Sequence, residues 1–364
     1  MKLVLSKLLV DLKYPPFYNA DCMKLPILSS KSLAIDLGTA NCLVWVSGAG
    51  VVISEPSVVA IDANSGRVMA VGAQAREMLG KTGGNLMAQR PLKDGVVADY
   101  FVAEAMLKYF LNKALLGRGF SRFLRPIVMI CVPSGITQVE RRAVLEATLA
   151  AGAKSAYLID KTLAAAIGSK LPIEAAFGSM VCDIGAGQTG VAVVSLGGIV
   201  ASSSARVGGT KVDEAIMAYM RRAHNLVIGE RMAEDVKIKI GSALTMRPKK
   251  TTEVRGRDAV LGLPKTIVIN SDEITGAIQP VINQMISAIK DVLEETPPEL
   301  SSDIIDRGMV LTGGASQLRG LDRLISSSTN VPAHVAEDPM HAVVYGAGIA
   351  LENIDVWKRM LMSG

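Results

Sequence analysis

The apolar pattern of this chain switches repeatedly between the period of a strand and that of a helix. From Ser32, the stretch SLAIDLGTANCLVWVSGAGVVIS reads as an apolar strand, a small and polar turn, an alternating strand, a Gly turn and a third strand. From Gly178, GSMVCDIGAGQTGVAVVSLGGIVAS repeats that order. Asp36 matches Asp183 and Val46 matches Val193 at one offset. After a one-residue insertion, Gly50-Val51-Val52 matches Gly198-Ile199-Val200. The spacing between copies is far too long for a solenoid repeat. It predicts two related lobes, each opening with a hairpin and a third strand.

Helical periods follow each strand set. Residues 102–115 are periodic, and Thr137 with Glu140 makes a capping box ahead of RRAVLEATLAAGA. Over 272–295, Ile274, Ile278, Val281, Met285, Ile289 and Val292 fall on one face. Pro280 should kink that helix, and Thr296-Pro297-Pro298 ends it. Strands alternating with helices predict an α/β fold with largely parallel pairing plus hairpins.

The first 13 residues place Met1, Val4, Leu5, Leu8, Leu9 and Leu12 on one helical face, bordered by Lys2, Ser6 and Lys13. This predicts an amphipathic helix lying in a membrane surface, stopped by Pro15 and Pro16; packing on the same molecule is the alternative. Lys7 and Asp11 interrupt the apolar stretch, so it does not read as a signal peptide. The longest uncharged run, Ile184 to Ala205, is rich in Gly and Ser and alternates like paired strands, which argues against a membrane span.

Composition narrows the class. With 49% hydrophobic and 20% charged residues, the 364-residue chain can bury a large core, which excludes global disorder. Aromatics are only 4%, so the apolar content is aliphatic and suits buried parallel strands. A net charge of +5 is mild, and no basic stripe interleaved with aromatics runs along the chain; a nucleic-acid partner is not expected. Cys22, Cys42, Cys131 and Cys182 lie far apart without a CxxC pair and read as reduced core thiols of a cytosolic protein. His224, His334 and His341 are too scattered for a metal site.

The candidate chemistry sits in the turns. Asp36-Leu37-Gly38-Thr39-Ala40-Asn41 joins two strands, and Gly lets successive N–H groups approach an anion closely. Asp36, at a strand end, can hold a hydrated Mg²⁺, which prefers carboxylate, water and phosphate oxygens. Asp183-Ile184-Gly185-Ala186-Gly187-Gln188-Thr189 repeats this chemistry in the second lobe. Leu311-Thr312-Gly313-Gly314-Ala315-Ser316 follows a third strand and precedes a helix, where backbone can lie flat against a base or sugar. Gly208-Gly209 is a fourth candidate contact. Two Asp/Gly turns facing each other predict a clamp on a nucleotide triphosphate, with one metal held through water by Asp36 and Asp183.

These stretches also carry a family likeness. DLGTAN, Ile53-Ser54-Glu55-Pro56-Ser57-Val58-Val59, RPLKDGV (Arg90–Val96), VPSGIT (Val132–Thr137) with VERRAV after it, LPIE, SLGGIV, IGER, TPPELSSDI, LTGG and YGAGIALEN all contribute. From about Leu33 to Ile354 the chain resembles the MreB family of bacterial actin homologues, within the actin, Hsp70 and sugar-kinase superfold. The resemblance implies an actin-like α/β fold: two duplicated lobes, each a mixed β-sheet flanked by helices, with ATP and Mg²⁺ in the cleft between them. It implies an N-terminal helix and tether over 1–31, a first lobe over 32–170 completed by a C-terminal helix at 340–364, and a second lobe over 171–339. Gly38, Thr39, Ala40 and Asn41 would hold phosphate from the first lobe, and Gly185, Ala186, Gly187 and Gln188 from the second. Glu234, Asp235, Val236, Lys237, Gly313, Gly314, Ala315 and Ser316 would border the nucleoside.

As partners the resemblance implies further copies of this chain in paired protofilaments, possible paralogues, cell-wall elongation proteins and the inner face of the cytoplasmic membrane. Leu115, Leu116 and Phe120, in a loop with Arg118, Arg122 and Arg125, match the family's hydrophobic membrane loop. A small-molecule kinase of the same superfold is the alternative. It would need a catalytic Asp near a sugar pocket and surplus segments, which this sequence does not offer.

The hydrolytic positions depart from the family. Where it usually reads Ile-Glu-Glu-Pro, this chain has Ile159-Asp160-Lys161-Thr162, so the water-activating Glu becomes Lys161. In the second phosphate loop, Ala186 replaces a Gly, Gln188 a water-orienting Thr, and Gly190 a Glu. Lys211 and Lys239 also replace acidic residues. A cation is a poor general base. The expectation is a protein that binds ATP and hydrolyses it slowly or not at all, unless Gln188 or Thr189 positions water.

Overall fold

A computed structural model describes residues 31–81, 83–93, 96, 97, 99–115, 125–357, 362 and 363. The expected N-terminal helix, with Leu5, Leu8 and Leu12, lies outside them, as do Leu116 and Phe120 of the expected membrane loop. Leu115 ends the helix Tyr100–Leu115, half-buried against the first lobe's core.

The repeated sequence folds as a repeated sheet. In the first lobe, Gly50–Pro56, Asn41–Val46 and Ser32–Leu37 pair antiparallel in turn, and Ile127–Val132 and Ser155–Asp160 then add in parallel. In the second, Gly198–Ala205, Thr189–Ser195 and Ser179–Ile184 pair antiparallel, followed by the parallel strands Met309–Thr312 and Ala333–Val335. Each third strand carries one irregularity, which skips Val52 in the first copy and Val200 in the second. Those two residues are equivalent in the sequence repeat, so the duplication reaches down to a single bulge.

Each lobe adds a smaller sheet. Val59–Asp62, Val68–Val71 and Leu86–Gln89 carry the helix Ala73–Met78 in the first lobe. In the second, Leu226–Val227, Thr251–Asp258 and Pro264–Asn270 form a sheet that packs against the helix Glu230–Ile240. Thr137 caps the helix Gln138–Ala150 with the expected box, its side chain accepting from the Glu140 N–H while Glu140 accepts from the Thr137 N–H. The helix Ser271–Glu295 buries the whole expected apolar face and runs through Pro280. Asn270 and Glu273 cap it with a second box.

A third apolar layer joins the lobes. Ala34, Leu43, Trp45 and Met129 of the first sheet and Val181, Ala192 and Val194 of the second pack in one buried cluster. The helices Lys161–Gly168 and Ala342–Glu352 sit within it. Small residues let these two helices touch backbone to backbone: a Cβ on Gly346 would lie 1.8 Å from the Ala164 carbonyl oxygen. The start of Lys161–Gly168 is thereby fixed at the junction between the sheets, beside both Asp/Gly turns.

Candidate nucleotide site

The two turns face one cleft of about 520 Å³, the size of a small-molecule site. From the first lobe it is lined by Asp36, Gly38, Thr39, Ala40 and Asn41, and from the second by Asp183, Gly185, Ala186, Gly187 and Gln188. Gly209, Glu234, Lys237, Gly313, Gly314 and Ala315 of the expected set also line it.

Local chemistry shapes each wall. The Gly38 N–H donates to the Asn41 carbonyl at 3.1 Å, and a Cβ on Gly38 would lie 2.4 Å from that oxygen. Ser57 pins the same turn: its hydroxyl donates to the Gly38 carbonyl at 2.6 Å and its N–H to that of Ala40 at 2.8 Å. In the second turn the Gly185 N–H donates to the Gln188 carbonyl at 2.9 Å. The Gly209 and Thr210 N–H groups donate to the carbonyls of Gly185 and Ala186 at 3.0 and 2.8 Å. These first-turn donors of the helix Gly209–His224 thus brace the loop. Gly313 holds φ +81°, and a Cβ there would lie 2.4 Å from the Ile184 carbonyl oxygen.

Four expected contacts do not line the cleft. Gly208 lies behind the second turn, where a Cβ would meet the Gly185 and Ala186 carbonyl oxygens at 2.6 Å. Ser316 is buried and its hydroxyl donates to the Gly313 carbonyl. On the helix Glu230–Ile240, Glu234, Lys237 and Ile238 share the cleft face by helical spacing, which turns Asp235 aside and Val236 into the core. The sequence reading missed Leu43, Val212, Ile238, Gly241, Met285, Gln317, Leu318, Arg319, Leu321, Met340 and Val343. Ile238, 61% exposed on a charged helix, was the one with a readable signal.

The floor of the cleft is ionic. Lys161, buried at the first position of its helix, places Nζ 2.6 Å from Asp36 Oδ1 and donates to the Leu37 carbonyl at 3.2 Å. Asp36 Oδ1 receives no aligned hydrogen bond, so the contact acts as an ion pair. Burial alone would lower the Lys161 pKa, but Asp36 and Asp183 outweigh it and hold the ammonium above its ordinary value. A cation at a helix N-terminus opposes the dipole, and the two carboxylates offset that cost. Asp160 caps the same helix, accepting from the Thr162 N–H at 2.8 Å and from the Ser134 hydroxyl at 3.0 Å.

Asp183 accepts from the Thr312 hydroxyl at 3.1 Å. Its burial pushes the carboxyl up to about 6, against the pull of Lys161. Lys237 donates to Asp213 at 2.8 Å and to the Gly209 carbonyl at 3.2 Å, so its charge is already matched. Lys211 pairs with Glu214 at 2.7 Å and, like the exposed Lys239, lies outside the cleft lining. Of the basic substitutions noted in the sequence, Lys161 is the one that reaches the cleft. Thr189 is buried, its hydroxyl donating to the Val207 carbonyl at 2.8 Å, which removes it from water positioning.

These residues do not fit the expected divalent cation. Asp36, the first lobe's carboxylate for it, is paired with an ammonium at 2.6 Å. A divalent ion there would have to displace the Lys161 ammonium from the Asp36 carboxylate.

Comparisons with known proteins agree with the architecture. The sequence profile of the MreB/Mbl protein family matches residues 30–359. The cell shape-determining protein Mbl of Bacillus cereus is 50% identical over 90% of this chain and 97% of its own length. The cell shape-determining protein MreB of Escherichia coli K12 is 51% identical over 90% and 95%. The crystal structure of MreB5 of Spiroplasma citri bound to ADP superposes with a TM-score of 0.85 at 34% identity, covering 91% of this chain and 99% of that one. With its duplicated sheets around a shared cleft, the chain has an actin-like fold and belongs to the MreB/Mbl family.

Proposed function

We propose that this chain is an ATP-binding, actin-like cytoskeletal protein that assembles with itself and takes part in determining cell shape. The convergence of two duplicated Asp/Gly turns and the LTGGAS stretch on one cleft carries the nucleotide part of this reading. The relatives named as cell shape-determining proteins support the cellular part, and none of them favours a small-molecule kinase. Membrane attachment through the apolar face of residues 1–13 and the loop after Leu115, on the cytoplasmic side, follows from the sequence pattern. Recruitment of cell-wall elongation proteins, and of paralogues, belongs to the same proposal.

Turnover of ATP is slow or absent in this reading. The Lys161 ammonium is held protonated between two carboxylates and cannot accept a proton from water. Loss of a general base costs about 10²–10⁴-fold. Gln188 lines the cleft but carries no basic group.

Electron microscopy of the full chain on anionic vesicles, with and without ATP, tests assembly. Paired filaments that need both lipid and nucleotide are the expected result, and a monodisperse monomer under every condition refutes it. Single-turnover phosphate release, measured beside an MreB with the ordinary Glu, tests hydrolysis. Equal rates would end the claim of weak turnover.

A further inference from the structure

The floor of the cleft carries its own cation, and we propose that Lys161 takes the place of a divalent metal there, so that this chain holds nucleotide polyphosphate without Mg²⁺. The inference rests on the nucleotide-binding reading above and specifies how the phosphates are neutralised.

Three observations converge. Lys161 Nζ sits 2.6 Å from Asp36 Oδ1, in the space that a metal ion or its coordinated water would need beside that carboxylate. The ammonium is buried, yet its residue lines the cleft together with Asp36, Asp183 and both Asp/Gly turns. It is also fixed: its residue begins a helix capped by Asp160, and Nζ donates to the Leu37 carbonyl at the base of the first turn. A charge so placed needs no reorganisation when an anion arrives, which is the condition for strong electrostatic binding.

Other groups near the floor do not compete for the role. Asp160 is turned toward Thr162 and Ser134, and the Cys131 thiol is pushed up by burial and stays neutral. Lys237 also lines the cleft, but it pairs with Asp213 of the helix Gly209–His224 and not with Asp36, so it does not take the place of an ion beside that carboxylate. An ammonium flanked by Asp36 and Asp183 has spare donor capacity, since a lysine carries three N–H bonds and here uses one on a carbonyl and one toward a carboxylate. The third can go to a phosphate oxygen. Mg²⁺ at the same floor would have to displace a fixed ammonium from the carboxylate that would hold it.

The test is titration of the full chain with a fluorescent ATP analogue, in Mg²⁺ and in excess EDTA. The expected result is a Kd that changes by less than about tenfold between the two. A loss of tenfold or more in EDTA overturns the inference while leaving nucleotide binding intact. No binding under either condition overturns the nucleotide reading itself. Lys161→Met should weaken binding in EDTA by about tenfold or more, because the neutralising charge is gone. Unchanged metal-free affinity in that variant assigns the cation elsewhere and refutes the role of Lys161. Should Lys161→Met leave too much unpaired buried charge to fold, Asp36→Asn/Lys161→Met removes both members of the pair and carries the same expectation.

Discussion

Buried carboxylates around the cleft set how this molecule responds to acid. Asp213 is paired with Lys237, yet burial pushes its carboxyl up to about 6. The ordinary value of an aspartate is about 3.9, so the folded chain holds a proton between about 4 and 6 that the unfolded chain has released. A group shifted in this sense contributes its full stability below about 4 and loses it as pH rises through about 6. Asp213→Asn removes the titration. The wild-type melting temperature minus that of the variant should therefore shrink as pH rises from about 4 to about 6. Thermal melts across that window decide it, and a constant difference would contradict the assignment. At this scale the sequence was partly legible. It marked Lys161 as an intruder at a family Glu position. It did not show that Asp36 would be its partner, because that contact crosses 125 positions of chain. Lys211 and Lys239 looked like Lys161 in the sequence, yet neither lines the cleft, because helix phase decides which side chain meets it.

Elements here are held by how closely backbones approach, and glycine positions measure it. Gly346 lies where the helices Lys161–Gly168 and Ala342–Glu352 cross, and an added methyl would collide with the Ala164 backbone. Gly346→Ala should cost about 3 kcal/mol or more, the upper end of overpacking effects, because backbone cannot rotate away as a side chain can. Gly276 offers the opposite case. It lies inside the helix Ser271–Glu295, and a Cβ there meets nothing within 4 Å. Gly276→Ala should stabilise by about 0.5–1 kcal/mol through helix propensity and reduced freedom of the unfolded chain. Denaturant melts of the two variants should move in opposite directions, and a shared direction would show that space at the Cβ is not what decides. The helix Ser271–Glu295 and the cap at Thr137 were readable from period and spacing alone. The helix crossing was not, because YGAGIALEN looks like any small-residue helix until its partner AAAIG is brought beside it.

The whole molecule is two lobes facing one cleft, and the duplication in the sequence was enough to foresee that. What it could not supply were walls contributed by segments outside the repeat, such as Met340 and Arg319, which reach the cleft only through tertiary packing. The contacts across its mouth belong to the same class. Arg76, on the first lobe's helix Ala73–Met78, meets Glu234 of the second at 2.6 Å. Arg90 approaches Glu230 at 3.8 Å and donates to the Thr39 carbonyl at 3.3 Å, tying the second lobe to the first Asp/Gly turn. Both ion pairs are partly exposed, so each contributes at most about 1 kcal/mol and is screened by salt. That is too little to change global stability measurably in a chain of this size. It is enough to bias opening, since about 1 kcal/mol corresponds to roughly a fivefold change in an equilibrium. Arg76→Ala should therefore speed release of a fluorescent nucleotide by about two- to fivefold while leaving the melting temperature within a degree or so. Raising salt should speed release from the wild-type chain and do less to the variant, because the charge that salt screens has already been removed. Stopped-flow release at low and high ionic strength separates the cases. Equal rates for both chains at low salt would mean that the cleft stays shut by its apolar hinge layer alone.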